Sequence, residues 1–182
     1  MKTVLVGARN VGKTSLITRV LDSEFPRGYV PSVSNFGDVL MMFKEIPVQM
    51  ALWDTAGDDY DRLRPLSYLK SSVIVVAFSL ASEASLDRVR TQWVPEARQH
   101  TPNVPIVLVG TKADLRRDDV KEGVADCVSR EDALQMADLI GAVDYCECSS
   151  LSGAGMDDLL DCLAAHGYEY NQESKDRSCV VS

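Results

Sequence analysis

Short, nearly uninterrupted apolar runs recur along the chain, and most are followed by a stretch whose apolar positions fall at helical spacing. The pairs are Thr3–Val6 with Thr14–Leu21, Val73–Leu80 with Leu86–Arg98, Ile106–Gly110 with Glu131–Ile140, and Tyr145–Ser149 with Met156–His166. Strands that are apolar on both faces and separated by helices predict a largely parallel sheet covered on two sides. Val39–Ile46 and Val48–Trp53 depart from that rhythm: they lie too close together around Lys44-Glu45 for a helical crossover, which predicts an antiparallel hairpin at one edge. The expected fold class is therefore α/β, a mostly parallel six-stranded sheet with one antiparallel edge strand and helices on both faces. Helix starts are marked by Ser82 with Glu83 in the first turn, and by Ser129 with Asp132 after it. No internal repeat is visible. From Gly167 onward the chain is polar and has little to bury, so a folded domain over 1–166 and a flexible tail over 167–182 are expected.

Composition narrows the classes without changing this outline. At 182 residues, with 46% apolar and 25% charged residues, the chain suits one globular domain that needs neither disulfides nor a structural metal. No apolar run approaches the roughly 18 residues needed to span a bilayer. The apolar run at Thr3–Gly7 is too short for a signal-peptide core, and a cytoplasmic location is expected. Cys127, Cys146, Cys148, Cys162 and Cys179 show no zinc-type spacing and are read as reduced thiols, Cys162 as a buried one on the last helix. A net charge of −8 argues against nucleic acid as a partner, so any phosphate must be held by a local feature.

Such a feature follows the first strand. Gly7-Ala8-Arg9-Asn10-Val11-Gly12-Lys13-Thr14 fits G-x-x-x-x-G-K-[ST], with a strand before it and a helix after it. In that setting backbone amides cradle phosphates, Lys13 reaches the β and γ phosphates, and the Thr14 hydroxyl is offered to Mg²⁺. A phosphate loop alone does not separate an ATPase or nucleotide kinase from a guanine-specific protein. The discriminating segment is Thr111-Lys112-Ala113-Asp114: a carboxylate accepts two parallel hydrogen bonds from guanine N1–H and N2–H₂ and mismatches adenine, while the Lys112 stem lies along the base.

Gly7 to Thr14, Trp53-Asp54-Thr55-Ala56-Gly57, Thr111 to Asp114 and Cys148-Ser149-Ser150 occur in the order and spacing of a Ras-like GTPase, a P-loop NTPase that this chain resembles over almost its whole length. Tyr60-Asp61-Arg62-Leu63-Arg64-Pro65-Leu66-Ser67-Tyr68, Phe25-Pro26 leading to Tyr29-Val30-Pro31, and Glu147-Cys148-Ser149 resemble the Rho group, whose members act in small-GTPase signalling and on the actin cytoskeleton. The resemblance implies that Asp54 holds Mg²⁺ through water and that the Gly57 amide meets the γ phosphate. It implies that Phe25 packs on guanine, that the Ser150 backbone meets its carbonyl oxygen, and that Ser15, Tyr29, Leu115, Ser149 and Leu151 complete the GTP or GDP contacts. Ser32 stands where the family has a threonine that closes over Mg²⁺; its hydroxyl can still coordinate, without the packing of the missing methyl.

Two departures bear on hydrolysis. The family's water-orienting glutamine is replaced by Asp58, an acceptor-only carboxylate that brings negative charge toward a γ phosphate already accumulating it. Arg9 replaces a small residue of the loop and would obstruct an arginine finger, a device that accelerates Ras by about 10⁵-fold. Arg9 and Asp58 could pair across the γ phosphate and leave a slow, GTP-loaded protein. Alternatively, Arg9 could act as a finger in cis, or simply be solvated. The chain is thus expected to be a small GTPase that either cycles conventionally or hydrolyses weakly; a P-loop kinase or ATPase is disfavoured by Asp114.

The resemblance further implies effector proteins engaging the switch loops at about 27–38 and 56–68, an exchange factor and a prenyl-binding chaperone. The segment Ser32–Gly37 lacks the aromatic and acidic residues that Rho relatives present, so partner identity does not transfer. Arg116–Val128 is placed like a short Rho-type insert and reads equally as a solvated loop. Cys179-Val180-Val181-Ser182 fits C-a-a-X, with Ser182 favouring a farnesyl group at Cys179. Residues 167–178 hold no polybasic patch, so lipid attachment to membranes is expected to be reversible.

Overall fold

A computed structural model describes residues 1–22, 36–55, 64–116 and 127–179. Six strands form one sheet: β1 Lys2–Gly7, β2 Phe36–Phe43, β3 Ile46–Asp54, β4 Val73–Ser79, β5 Ile106–Thr111 and β6 Asp144–Glu147, in the spatial order β2-β3-β1-β4-β5-β6. All neighbours are parallel except β2 and β3. The sheet is therefore the mixed α/β arrangement that the apolar periodicity predicts. The edge hairpin turns at Lys44 and Glu45, with φ of 47° and 66°, and pairs Phe43 with Ile46. Two left-handed residues in a two-residue loop match the right-handed twist of the strands they join.

The central strands explain why periodicity was so legible. Every residue of β4 and β5 is buried, as expected for strands covered on both faces. Helices α1 (Lys13–Asp22), α2 (Arg64–Ser67), α3 (Glu83–Arg88), α4 (Val94–His100), α5 (Arg130–Ile140) and α6 (Met156–Cys179) accompany them. Ser82 caps α3 by accepting from the Ser85 amide, and Ser129 caps α5 by accepting from the Asp132 amide at 3.1 Å. Gly141, left-handed at φ 63°, ends α5. Between α3 and α4 the helix widens into a π turn, Val89–Trp93, which turns the fully buried Trp93 into the core.

One expectation fails at the carboxyl end. The flexible tail from Gly167 is instead helical as far as Cys179, so α6 is more than twice the predicted Met156–His166 segment. The stretch after Gly167 contains no proline, and Tyr170 still packs against the core, so the helix loses its apolar partners only gradually. Polar composition was misread as lack of structure. No described helix is long and apolar enough to cross a membrane.

Candidate functional site

The parallel strands β1, β3, β4, β5 and β6 end on one rim, where ligands of open α/β sheets bind. Gly7 leaves β1 at φ +148°, and a Cβ there would stand 2.2 Å from the Ala77 carbonyl oxygen, so the chain passes β4 only as glycine. Asn10 at φ 63° and Gly12 at φ 105° then turn the backbone into α1, with the Leu16 amide bonded to Gly12 O at 2.9 Å. First-turn amides have no intrahelical acceptor and, with the helix dipole, form a seat for an anion. Lys13 is buried, and its Nζ donates to Gly7 O at 2.8 Å and Ala8 O at 2.9 Å. Phosphate oxygens would offer that ammonium charged acceptors in place of these neutral carbonyls.

Thr14 Oγ1 donates to Asp54 Oδ2 at 2.5 Å, and Asp54 is almost fully buried at the end of β3. Thr55 fixes the exit from that strand by donating to Leu5 O at 2.6 Å. A hydroxyl and a carboxylate oxygen side by side are hard donors, suited to Mg²⁺ completed by water and phosphate oxygens. The residues present fit the ion that the sequence implies.

The other half of the rim is a cleft of about 220 Å³ lined by Gly12, Ser15, Thr111, Lys112, Asp114, Leu115, Ser150 and Leu151. All eight were expected from the sequence to meet the nucleotide. Thr111 Oγ1 bonds to Val11 O and to Phe78 O, and Lys112, left-handed at φ 59°, sends its Nζ 2.7 Å to Asn10 O. Burial lowers the Lys112 pKa, against the opposing pull of Asp114. Ser149 Oγ donates to Asp114 Oδ1 and also accepts from the Ser152 amide at 3.1 Å, so the carboxylate that would read the base is oriented from the loop after β6. The Ala113 amide bonds to Cys148 O at 3.1 Å, tying the two loops together.

Two sets of supporting contacts escaped the sequence reading, in which Glu147, Arg64 and Tyr68 stand only as marks of the Rho resemblance. Glu147 accepts from both guanidinium nitrogens of Arg116 and from Tyr145 OH at 2.7 Å, anchoring the segment that follows Asp114. Burial pushes the Glu147 carboxyl up, but Arg116 and Tyr145 outweigh it and hold it below its ordinary value. Glu96 takes a two-pronged ion pair from Arg64 at 2.6 and 2.8 Å and a bond from Tyr68 OH at 2.9 Å. The Arg64 guanidinium also lies 4.9 Å from the centre of the Trp93 ring. This fixes the end of the 56–68 loop on the helix through the π turn. An acid 32 residues from its partner gives no local signal in sequence; only the fold brings Glu96 to Arg64.

Arg9 is exposed at the tip of the phosphate loop. Phe25, Tyr29, Ser32, Gly57, Asp58 and residues 117–126 of the insert lie outside the described residues, as does the side chain of Cys179. Cys127, Cys146, Cys148 and Cys162 form no disulfide. Cys162 is only partly buried, not the core thiol expected: it lies on a flank of α6, while Leu159 and Leu163 fill the core.

A family model described as the Ras family matches residues 2–168. The chain is also 41% identical over 193 aligned positions to a protein of Schizosaccharomyces pombe (strain 972 / ATCC 24843) named "GTP-binding protein rho2", with 100% of this chain and 96% of the relative covered. A phosphate seat, an oriented base-reading carboxylate and these two similarities together place the chain in the Ras family, as a Rho-like small GTPase.

Proposed function

We propose that the protein is a GTP/GDP signalling switch that hydrolyses slowly and rests largely in its GTP state. The observation that carries the switch reading is the bonding of Thr111 and Lys112 to the carbonyls of Val11 and Asn10, which joins the base-reading and phosphate-holding loops into one site. Asp114 selects guanine, and Lys13 with the amides of residues 8–14 binds the phosphates. Thr14 and Asp54, with Ser32 from the first switch loop, would hold Mg²⁺, which when bound neutralises charge on the phosphate oxygens. The γ phosphate would then bias loops 27–38 and 56–68, the surfaces for effector proteins, an exchange factor and a prenyl-binding chaperone. Exposed Leu66 and Leu69, on the Arg64–Glu96 anchor, fit such a protein-binding surface.

Slow hydrolysis is supported by Asp58, which has no N–H with which to orient water, and by Arg9, whose exposed position at the loop tip suits obstruction of an activating finger. Single-turnover hydrolysis of GTP by the unaltered chain, Arg9→Gly, Asp58→Gln and the double variant tests this. The expected result is a slow parent and a faster Asp58→Gln; a fast parent that slows on loss of Arg9 would instead establish Arg9 as a finger in cis. Prenylation at Cys179 would give reversible membrane association, with the protein exchanging between cytoplasm and membrane, and Cys179→Ser should move it to the soluble fraction.

A further inference from the structure

On the far edge of the sheet, chemistry gathers that nucleotide binding does not use. Asp144 and Cys146 are two apart on β6 and so project to the same side of the strand, while Cys162 and His166 are four apart on α6 and so share a helical face. The packing of α6 on β6 brings these two pairs together. Asp144 Oδ2 lies 3.5 Å from Cys162 Sγ and 3.3 Å from His166 Nε2, and a ligand atom from each of Asp144, Cys146 and Cys162 lies within 4.8 Å of the others. We propose that Asp144, Cys146, Cys162 and His166 form a second metal site, for a tetrahedral, thiolate-seeking divalent cation of the zinc type, that clamps α6 to the edge strand.

The spacing matches the chemistry. Around a tetrahedral zinc with bonds of about 2.0–2.3 Å, neighbouring ligand atoms stand roughly 3.3–3.8 Å apart. The Asp144 distances fall in or beside that range and the two sulfurs lie within 4.8 Å of the same carboxylate, whereas His166, beside Asp144 but outside that three-residue group, would turn toward the sulfurs to complete the set. Two sulfurs, an imidazole and a carboxylate select zinc-like cations over Mg²⁺, the opposite preference from the hydroxyl–carboxylate pair at Thr14 and Asp54. Asp144 is pre-oriented, because its other oxygen accepts from the Tyr145 amide at 2.8 Å. The site is partly exposed, which gives a cation a path in: the His166 and Asp144 side chains are 25% and 48% accessible.

The test uses the full chain loaded with GDP and Mg²⁺, in a reductant that does not bind metals, titrated with Co²⁺. One equivalent should produce thiolate-to-cobalt charge-transfer absorption and tetrahedral visible bands, and Zn²⁺ should displace them. Cobalt in the Mg²⁺ site has only oxygen donors and gives no charge-transfer band. The band should vanish in Cys162→Ala and persist in Cys127→Ala, and His166→Ala should weaken zinc by about 10–100-fold or more. Retention of GDP reports whether each variant is folded. Should Cys162→Ala not fold, alkylation of the unaltered chain decides instead: Zn²⁺ should shield Cys146 and Cys162 and leave Cys127 reactive. Absence of the band at one equivalent, its survival in folded Cys162→Ala, or alkylation indifferent to Zn²⁺ would overturn the proposal, as would a Cys146–Cys162 disulfide whose reduced form takes up no cobalt.

Discussion

The two halves of the nucleotide cleft are built on different physical terms. On the base side, Thr111, Lys112, Asp114, Ser149 and Glu147 bind one another or the neighbouring loop, so bonds within the protein hold the recognition geometry. On the phosphate side, Lys13 and Thr14 bind groups of their own surroundings that a charged ligand or cation would displace or share. The first half is preorganised and gives selectivity at little ordering cost; the second exchanges partners on binding and so can sense what is bound. A switch needs both, a fixed grip on the base and a responsive grip on the phosphates.

The largest expected effect breaks the base side. Asp114→Ala should abolish the preference for guanine over adenine nucleotides, a change of about 10⁴-fold in the ratio of affinities, because a site built around hydrogen bonds rejects strongly and an emptied one does not. Competition between GDP and ADP for the purified variant measures it. Next comes Glu96→Ala, which strands the Arg64 guanidinium against Trp93: a loss of about 3 kcal/mol, or roughly 6–12 °C in melting temperature, is expected. Equal loss in GDP-bound and nucleotide-free protein would mean that this anchor is structural and does not respond to the ligand.

Thr111→Val sharpens the comparison. It removes the bond to Val11 O without changing side-chain shape, and should cost about 1–2 kcal/mol in stability and speed GDP release, since the tie between the halves is lost. A normal release rate would show that the halves act independently. The smallest effect belongs to Glu147. Its folded-state pKa lies below the ordinary 4.5, so its contribution to stability is complete above pH 4.5 and fades as pH falls through the depressed value. Glu147→Gln should therefore destabilise the protein at neutral pH, by within about 1 kcal/mol, and the difference should shrink in acid; melting curves at neutral pH and near pH 4 check this.

Legibility in the sequence followed the range of the interaction. The buried runs of β4 and β5, the serine caps at Ser82 and Ser129, and the glycines at 7 and 12 are local demands of backbone and solvent, and all were readable. The Lys13, Asp54 and Asp114 positions were readable because their chemistry comes in short strings. Glu96, Glu147 and the Asp144–His166 cluster were not, since each depends on pairs of elements that only the fold apposes. The Asp144–His166 cluster is divided between a strand and a helix, so no spacing within one segment shows it. The extended α6 was missed for the opposite reason: a polar surface resembles a polar tail when its few apolar anchors, such as Tyr170, lie far apart.

The most direct test of the central claim is calorimetric titration of the nucleotide-free full chain with GDP and with ADP, both in the presence of Mg²⁺. The account predicts tight one-to-one binding of GDP and binding of ADP weaker by thousands-fold or more, in line with hydrogen-bonded base recognition. Comparable affinities for the two, or no uptake of either, would contradict it.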